Sequence, residues 1–244
     1  MKKFPCNLSD SERLSLAKHR TERLVDHIIC KLFLMHKSNA SIIYSRKLSE
    51  QIPRSYAAHA FNQFQHGMYL FEIIRLCALW DKARKDRESI PTIIALFDKP
   101  ELIDQLLAEA RALYENEDLP DTIKKKFADE AAETARCKLS LAISKANEVQ
   151  ASRQLKSLQS FRNNYIAYNL DIANPSGKGM ASVETFKYGD ETFVLDATVV
   201  IADALHRGLN HAGIQWSQSR DMARRNAQDL WNHCTFDIPT HRDS

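Results

Sequence analysis

An all-α fold is what this sequence predicts, and three observations carry it. Apolar residues recur at the helical period through most of the chain, as they do where one stripe of each helix faces a core. Only six glycines and seven prolines punctuate 244 residues, which leaves little material for tight turns. Helix start signals stand where the periodic stretches begin. With 44% hydrophobic residues the chain can bury a sizeable core, and no linker divides it. It is read as a single helical domain over residues 1–244, with a core over about 50–235, an N-terminal helical extension over 8–40, further C-terminal helices and at most a small hairpin.

The first helix opens at Ser9-Asp10-Ser11-Glu12, a Ser-x-x-Glu capping box. It carries Leu24, Val25, Ile28, Ile29 and Leu32 on one face and is expected to end between His36 and Ala40. A longer helix is expected from about Pro53 to Arg84, with Ala57, Ala60, Phe61, Phe64, Met68, Phe71, Ala78 and Leu79 along its buried stripe. From Tyr69 to Trp80 it is apolar nearly all round, which marks it as the central core helix. Ser89 caps the next helix, with Pro91 in its first turn where a missing N–H does no harm. That helix runs to about Phe97, and another follows from Pro100 to Glu115 on Leu102, Leu106, Leu107, Ala110 and Leu113. Asp118-Leu119-Pro120-Asp121 breaks the chain. A charge-rich helix then runs from Thr122 to about Val149, jointed before Leu155, and Leu155, Leu158 and Phe161 continue it. Pro175, Gly177 and Gly179 mark a loop. Thr185 to Asp190 either turns a short hairpin or forms an elbow into the next helix, and Leu195 to Leu209 and Ser217 to Trp231 close the fold.

Composition excludes several classes. The five cysteines are scattered, odd in number and never paired as Cys-x-x-Cys, so they read as reduced thiols and not as a zinc site or disulfide frame. A net charge of +3 permits nucleic-acid binding without arguing for it. No leader or membrane segment is apparent, and a cytoplasmic protein without membrane association is expected. Phosphate loops of the Gly-x-x-x-x-Gly-Lys-Ser/Thr type and Gly-x-Ser-x-Gly elbows are absent from the sequence. No set of His, Cys or carboxylate residues has metal-ligand spacing, so no cofactor is expected.

The stretch that carries chemistry is Arg162-Asn163-Asn164-Tyr165-Ile166-Ala167-Tyr168. It resembles the Arg-Asn-x-x-x-Ala-His signature of the HEPN superfamily at every defined position except the last, where Tyr168 replaces histidine. Leu79-Trp80-Asp81 followed by Glu88-Ser89-Ile90-Pro91 is similar to the AbiU-type branch of that superfamily, phage abortive-infection factors in which an acidic residue ends a core helix. Tyr188-Gly189-Asp190 is similar to an elbow of the same branch. The resemblance implies a helical bundle that cuts RNA without a metal, acting as a toxin in a toxin-antitoxin or phage-defence system. It further implies a homodimer with two motifs facing each other, an RNA substrate and a cognate antitoxin or regulatory protein.

Cutting RNA through its own 2′-hydroxyl needs a proton acceptor and a fixed cation for the charge on phosphorus. Arg162 suits the second role, since a guanidinium is always charged and offers a planar fork to phosphate oxygens. The family pattern has Asn163 hold that guanidinium or a phosphate oxygen, and has Asp81 or Glu72 pair with Arg162. Tyr168 suits the first role poorly: an ordinary phenol titrates near pH 10, whereas a histidine is poised near neutrality. Residues six apart on a helix stand roughly 120° and about 9 Å apart, so Arg162 and Tyr168 need a kink or a second subunit to act together. Tyr165, three residues from each, lies between them. The alternative is a non-catalytic HEPN protein that binds RNA or serves as a dimerisation or regulatory partner. A third reading makes Tyr168 a substitution that silences a toxic enzyme.

Other groups are weaker candidates. His59 and His66 share a face at a spacing too wide for a helical metal pair and read as surface or core histidines, with His59, His66 or another residue the alternative proton acceptor if position 168 is not the vacant base. His206 and His211 read as ordinary histidines. Lys124-Lys125-Lys126 reads as a solvated face, and Arg220, Arg224 and Arg225 as a salt-bridged face with Asp221 and Asp229, with Arg220 and Arg224 a possible phosphate contact.

Overall fold

A computed structural model describes residues 8–43, 46–52, 56–115, 117–163 and 187–238. Helices occupy most of them, and no strand occurs among the described residues. In chain order they are α1 (Asp10–His27), a π-helical turn (Ile28–Leu32), α2 (Phe33–Ile43), α3 (Arg46–Gln51), α4 (Tyr56–Ala78), α5 (Ile90–Phe97), α6 (Pro100–Ala112), α7 (Asp121–Ala151), α8 (Arg153–Phe161), α9 (Asp190–Leu209) and α10 (Trp216–His233).

The capping box of α1 is present in full: Ser9 accepts from the Glu12 amide while the Glu12 carboxylate reaches back to the Ser9 amide at 2.7 Å. Leu24, Val25, Ile28 and Leu32 are buried as the periodicity predicts, but the helical path runs a few residues past the expected end between His36 and Ala40. The Phe33 amide bonds to the Ile28 carbonyl, five residues back, and the chain continues helically to Ile43. Residues 14–25 of α1 contribute Leu14, Ala17, Leu24 and Val25 to the same core cluster as α4, α5, α8 and α9.

The hub is α9, which packs on α7, α1, α8 and α4. Its Val194, Ile201, Ala202, Leu205 and Leu209 are fully enclosed. It begins at Asp190, five residues earlier than its apolar pattern suggests, because Gly189 at φ 98° turns the chain directly into it. The Tyr188-Gly189-Asp190 segment is therefore the elbow and not a hairpin turn; Thr185 and Phe186 lie outside the described residues.

Two expectations for α4 need correction. It ends at Ala78 and not near Arg84, and its buried stripe is a different one. Phe64 and Phe71 are 48% and 45% exposed, while Ile73, Leu76 and Cys77 are fully enclosed. The aromatic row and the Tyr69–Trp80 row are both helical in period, so periodicity alone could not say which one α8 and α9 would cover. The helix stops because the Leu79, Trp80 and Asp81 amides bond three residues back, and the Leu79 carbonyl is taken by the Ile90 amide at 2.8 Å. Smaller departures follow the same logic: Leu113 is exposed beyond the end of α6, and the Ser89 hydroxyl bonds to Thr92 Oγ1 at 2.8 Å and not to the helix amides.

The α7–α9 contact is close enough to require a glycine. A Cβ on Gly208 would lie 2.7 Å from the Leu139 side chain. Gly208→Val is expected to cost about 1–3 kcal/mol by overpacking, read as a lower urea midpoint at unchanged slope. An unchanged midpoint would show that the two helices have room to part.

Candidate functional site

The signature helix α8 is short, and its position depends on bonds to other elements. Ser152 caps it, with its hydroxyl accepting from the Leu155 amide at 3.2 Å. Leu155 and Leu158 are buried against the core. Asp190, at the elbow into α9 and buried, receives the Arg153 guanidinium at 2.8 Å on one oxygen and the Ser157 hydroxyl at 2.8 Å on the other. At the far end Gln159 Nε2 donates to the Trp80 carbonyl at 3.3 Å. The α8 axis is thus fixed against α9 at its start and against the end of α4 at its finish.

That places Arg162 beside Asp81. Arg162 Nη1 lies 2.9 Å from Asp81 Oδ1, and Arg162 Nε donates to Asn163 Oδ1 at 3.2 Å. The second Asp81 oxygen accepts from Arg87 Nη1. Asp81 and Arg162 are 18% and 22% exposed, so the pair is sheltered but reachable from solvent. With Nη1 and Nε engaged, the guanidinium keeps its Nη2 N–H groups for an incoming anion. The backbone turns as a π-helix at Arg162 and Asn163, the kind of local irregularity that is frequent at functional sites. Tyr165 and Tyr168 lie outside the described residues, as do Asn164, Ile166 and Ala167.

Glu72 is not part of this arrangement. It is 1% exposed within α4, where it accepts from Asn39 at 2.5 Å and pairs with His36 Nδ1 at 2.8 Å. His59 and His66 are exposed and stand on the N-terminal part of α4, about 28 Å and 18 Å along the axis from its end. Neither approaches Arg162. Arg220 pairs with Asp196 at 2.7 Å and lies over the Phe33 ring, and Arg224 pairs with Asp221 at 3.0 Å, so these two are engaged as a salt-bridged face, although Asp229 is not the partner. His206 bonds the Ala212 carbonyl at 2.7 Å. Burial pushes the Cys77 thiol up to about 12 despite the nearby Arg162 charge, which leaves it an unreactive core group. Among the described residues no cluster of three or more His, Cys, Asp or Glu is arranged to hold a metal ion, and no helix is long and apolar enough to cross a membrane.

Sequence reasoning missed Arg87, Arg153, Ser157, Gln159 and Asp190, which hold the site in place. Only Asp190 had a local signal, since a glycine just before a helix start marks a left-handed entry that aims the next side chain back toward its neighbours.

A packed helix closing on an Arg-Asn pair, with the arginine held by a carboxylate at the end of a core helix, defines an all-α HEPN-like protein. The sequence model of the AbiU2 HEPN family matches residues 17–230, and the chain belongs to that abortive-infection-related family. No curated protein and no solved structure gives a significant match.

Proposed function

We propose that this protein is a metal-independent endoribonuclease of the AbiU2 HEPN type, the toxic or defence component of an abortive-infection system. The observation that supports this reading best is the Arg162–Asp81 pair, with Arg87 on the other carboxylate oxygen. In this reading Arg162 binds a phosphate oxygen and stabilises the charge that builds on phosphorus, Asp81 holds it at one rotamer, and Asn163 steadies its Nε edge. Position 168 is the family's proton-acceptor position, and with tyrosine there the chain is expected to cut RNA weakly. The test is incubation of total RNA with the protein in EDTA and examination of the products for 2′,3′-cyclic phosphate ends, in comparison with Arg162→Ala and Tyr168→His. Cyclic ends that vanish only when EDTA is present would overturn the metal-independent assignment. The second reading, a non-catalytic RNA-binding or regulatory HEPN protein, is favoured by Tyr168 itself. RNA binding with no cleavage in any variant would establish it.

Homodimerisation completes the proposal, because six residues along a straight helix would separate positions 162 and 168 by roughly 120°. Two motifs facing each other would bring Arg162 of one copy toward position 168 of the other. Light scattering should give about twice the 28.0 kDa chain mass. A stable monomer at micromolar concentration would remove the composite site. An RNA substrate and a cognate antitoxin or regulatory protein are the other partners this reading entails.

A further inference from the structure

Asp81 and Arg87 also line a cleft of about 600 Å³, bounded by the end of α1, the π-helical turn, the end of α4 and the 79–88 connection. Its charges are unevenly matched. Arg23 pairs with Glu88 at 3.0 Å and Arg87 with Asp81. Lys31 and Arg75 pair with no carboxylate among the described residues, and Arg75 lies 4.8 Å from the centroid of the Phe71 ring. Among the described residues Asp26 is the other carboxylate on the wall.

His27 also lines this cleft, and its Nε2 is buried with no hydrogen-bond partner. A buried polar atom left unpaired costs about 1–3 kcal/mol and calls for an explanation. Burial first, then the Lys31 and Arg75 charges, push the imidazole down to about 4, so it is neutral near pH 7. The π-helical turn sits immediately after His27 and carries Cys30 and Lys31 into the cleft wall. Such turns are frequent at functional sites. An unpaired imidazole, two unpaired cations and an irregular wall converge on one space, with Arg162 just beyond Asp81.

We propose that this cleft binds a phosphodiester of single-stranded nucleic acid, with Lys31 and Arg75 on the phosphate oxygens and His27 hydrogen-bonded to the same group. An anion there offsets the Lys31 and Arg75 charges that add to burial in disfavouring the protonated imidazole, so binding favours a proton on His27. Arg23, Arg87, Asp26, Asp81, Glu88 and Cys30 also face the space, and their fields act alike on the free and the variant proteins. The inference takes its ligand class from the RNA-cutting reading and deepens it by adding a second phosphate subsite beside Arg162.

The probe is a fluorescein-labelled deoxythymidine tetranucleotide, which has no 2′-hydroxyl and cannot be cleaved by that route. Fluorescence anisotropy at low salt should show binding by the full chain that weakens about tenfold or more in the Lys31→Ala, Arg75→Ala double variant. Affinity should rise as pH falls from about 8 to about 6, and His27→Gln should flatten that dependence. Histidine ring shifts in NMR should report a higher His27 pKa when the tetranucleotide is present. Undiminished binding by a double variant with native circular dichroism would overturn the proposal. So would inorganic phosphate binding as tightly as the tetranucleotide, which would make the cleft a simple anion site. Absence of RNA cleavage by Tyr168→His alongside intact, variant-sensitive tetranucleotide binding would sink the ribonuclease reading and leave this one standing.

Discussion

Tyr168→His should raise RNA cleavage by about 10² to 10⁴-fold, the usual contribution of a positioned general base. The gain has a simple source. A phenol is almost entirely protonated near neutral pH and holds its proton too tightly to take one from a 2′-hydroxyl, while imidazole titrates close to the working pH. The restored activity should persist in EDTA and show a rate rising through the histidine pKa before levelling. It should also depend on Arg162, since the Arg162→Ala change removes the cation opposite the developing phosphorane charge. Asp81→Asn in the same background should lower the rate less than Arg162→Ala, because the guanidinium stays charged and loses only one of its anchors. An inert Tyr168→His protein that still folds would show that position 168 is not the vacant proton acceptor. Native activity that survives Tyr168→Phe would point the same way.

Trp80→Ala should be the most destabilising single truncation near the site, at about 3–5 kcal/mol. Trp80 is 3% exposed, and its indole N–H donates to Thr198 Oγ1 on α9 at 2.9 Å. Its carbonyl receives Gln159 of α8. One residue therefore joins the end of α4 to the hub helix and to the signature helix, immediately before Asp81. The midpoint of thermal unfolding should fall by on the order of 10 °C for a chain of this size. Trp80→Phe separates the two contributions: it keeps most of the apolar volume and should cost nearer 1 kcal/mol through the lost donor. A Trp80→Ala protein as stable as the parent would mean that this junction is not a structural anchor.

The sequence made the helical class, the α1 cap, the chain break at Asp118–Asp121 and the joint before Leu155 legible, because each rests on local chemistry within a few residues. It did not make the orientation of α4 legible. Phe61, Phe64, Phe71 and the Tyr69, Ile73, Leu76 row have equal claim to the core on period alone, and only the positions of α8 and α9 decide between them. The site divides along the same line. Arg162 and Asn163 could be read from a short motif, and Asp81 from its place at a helix end. Their anchors could not, since Asp190 is 37 residues from Arg153 and Gln159 is 79 from Trp80. The family pattern alone pairs Glu72 with Arg162, whereas His36 and Asn39 occupy its carboxylate.

The π-helical turn between α1 and α2 has a consequence for how the first forty residues meet the rest of the chain. A turn that bonds five residues back spends one residue more than an α-turn over the same span, so the side chains after it are advanced by about 100° around the axis. The helix before the turn faces α5 and α9, while the helix after it faces α10 and α4. A single added residue thus acts as a phase shifter, letting one nearly continuous rod present its apolar stripe to two different sets of neighbours. Lys31 sits on that shifter and Arg75 on α4, which packs on the turn itself and on the helix beyond it. The spacing between those two cations is therefore set by helical phase more than by any direct bond between them.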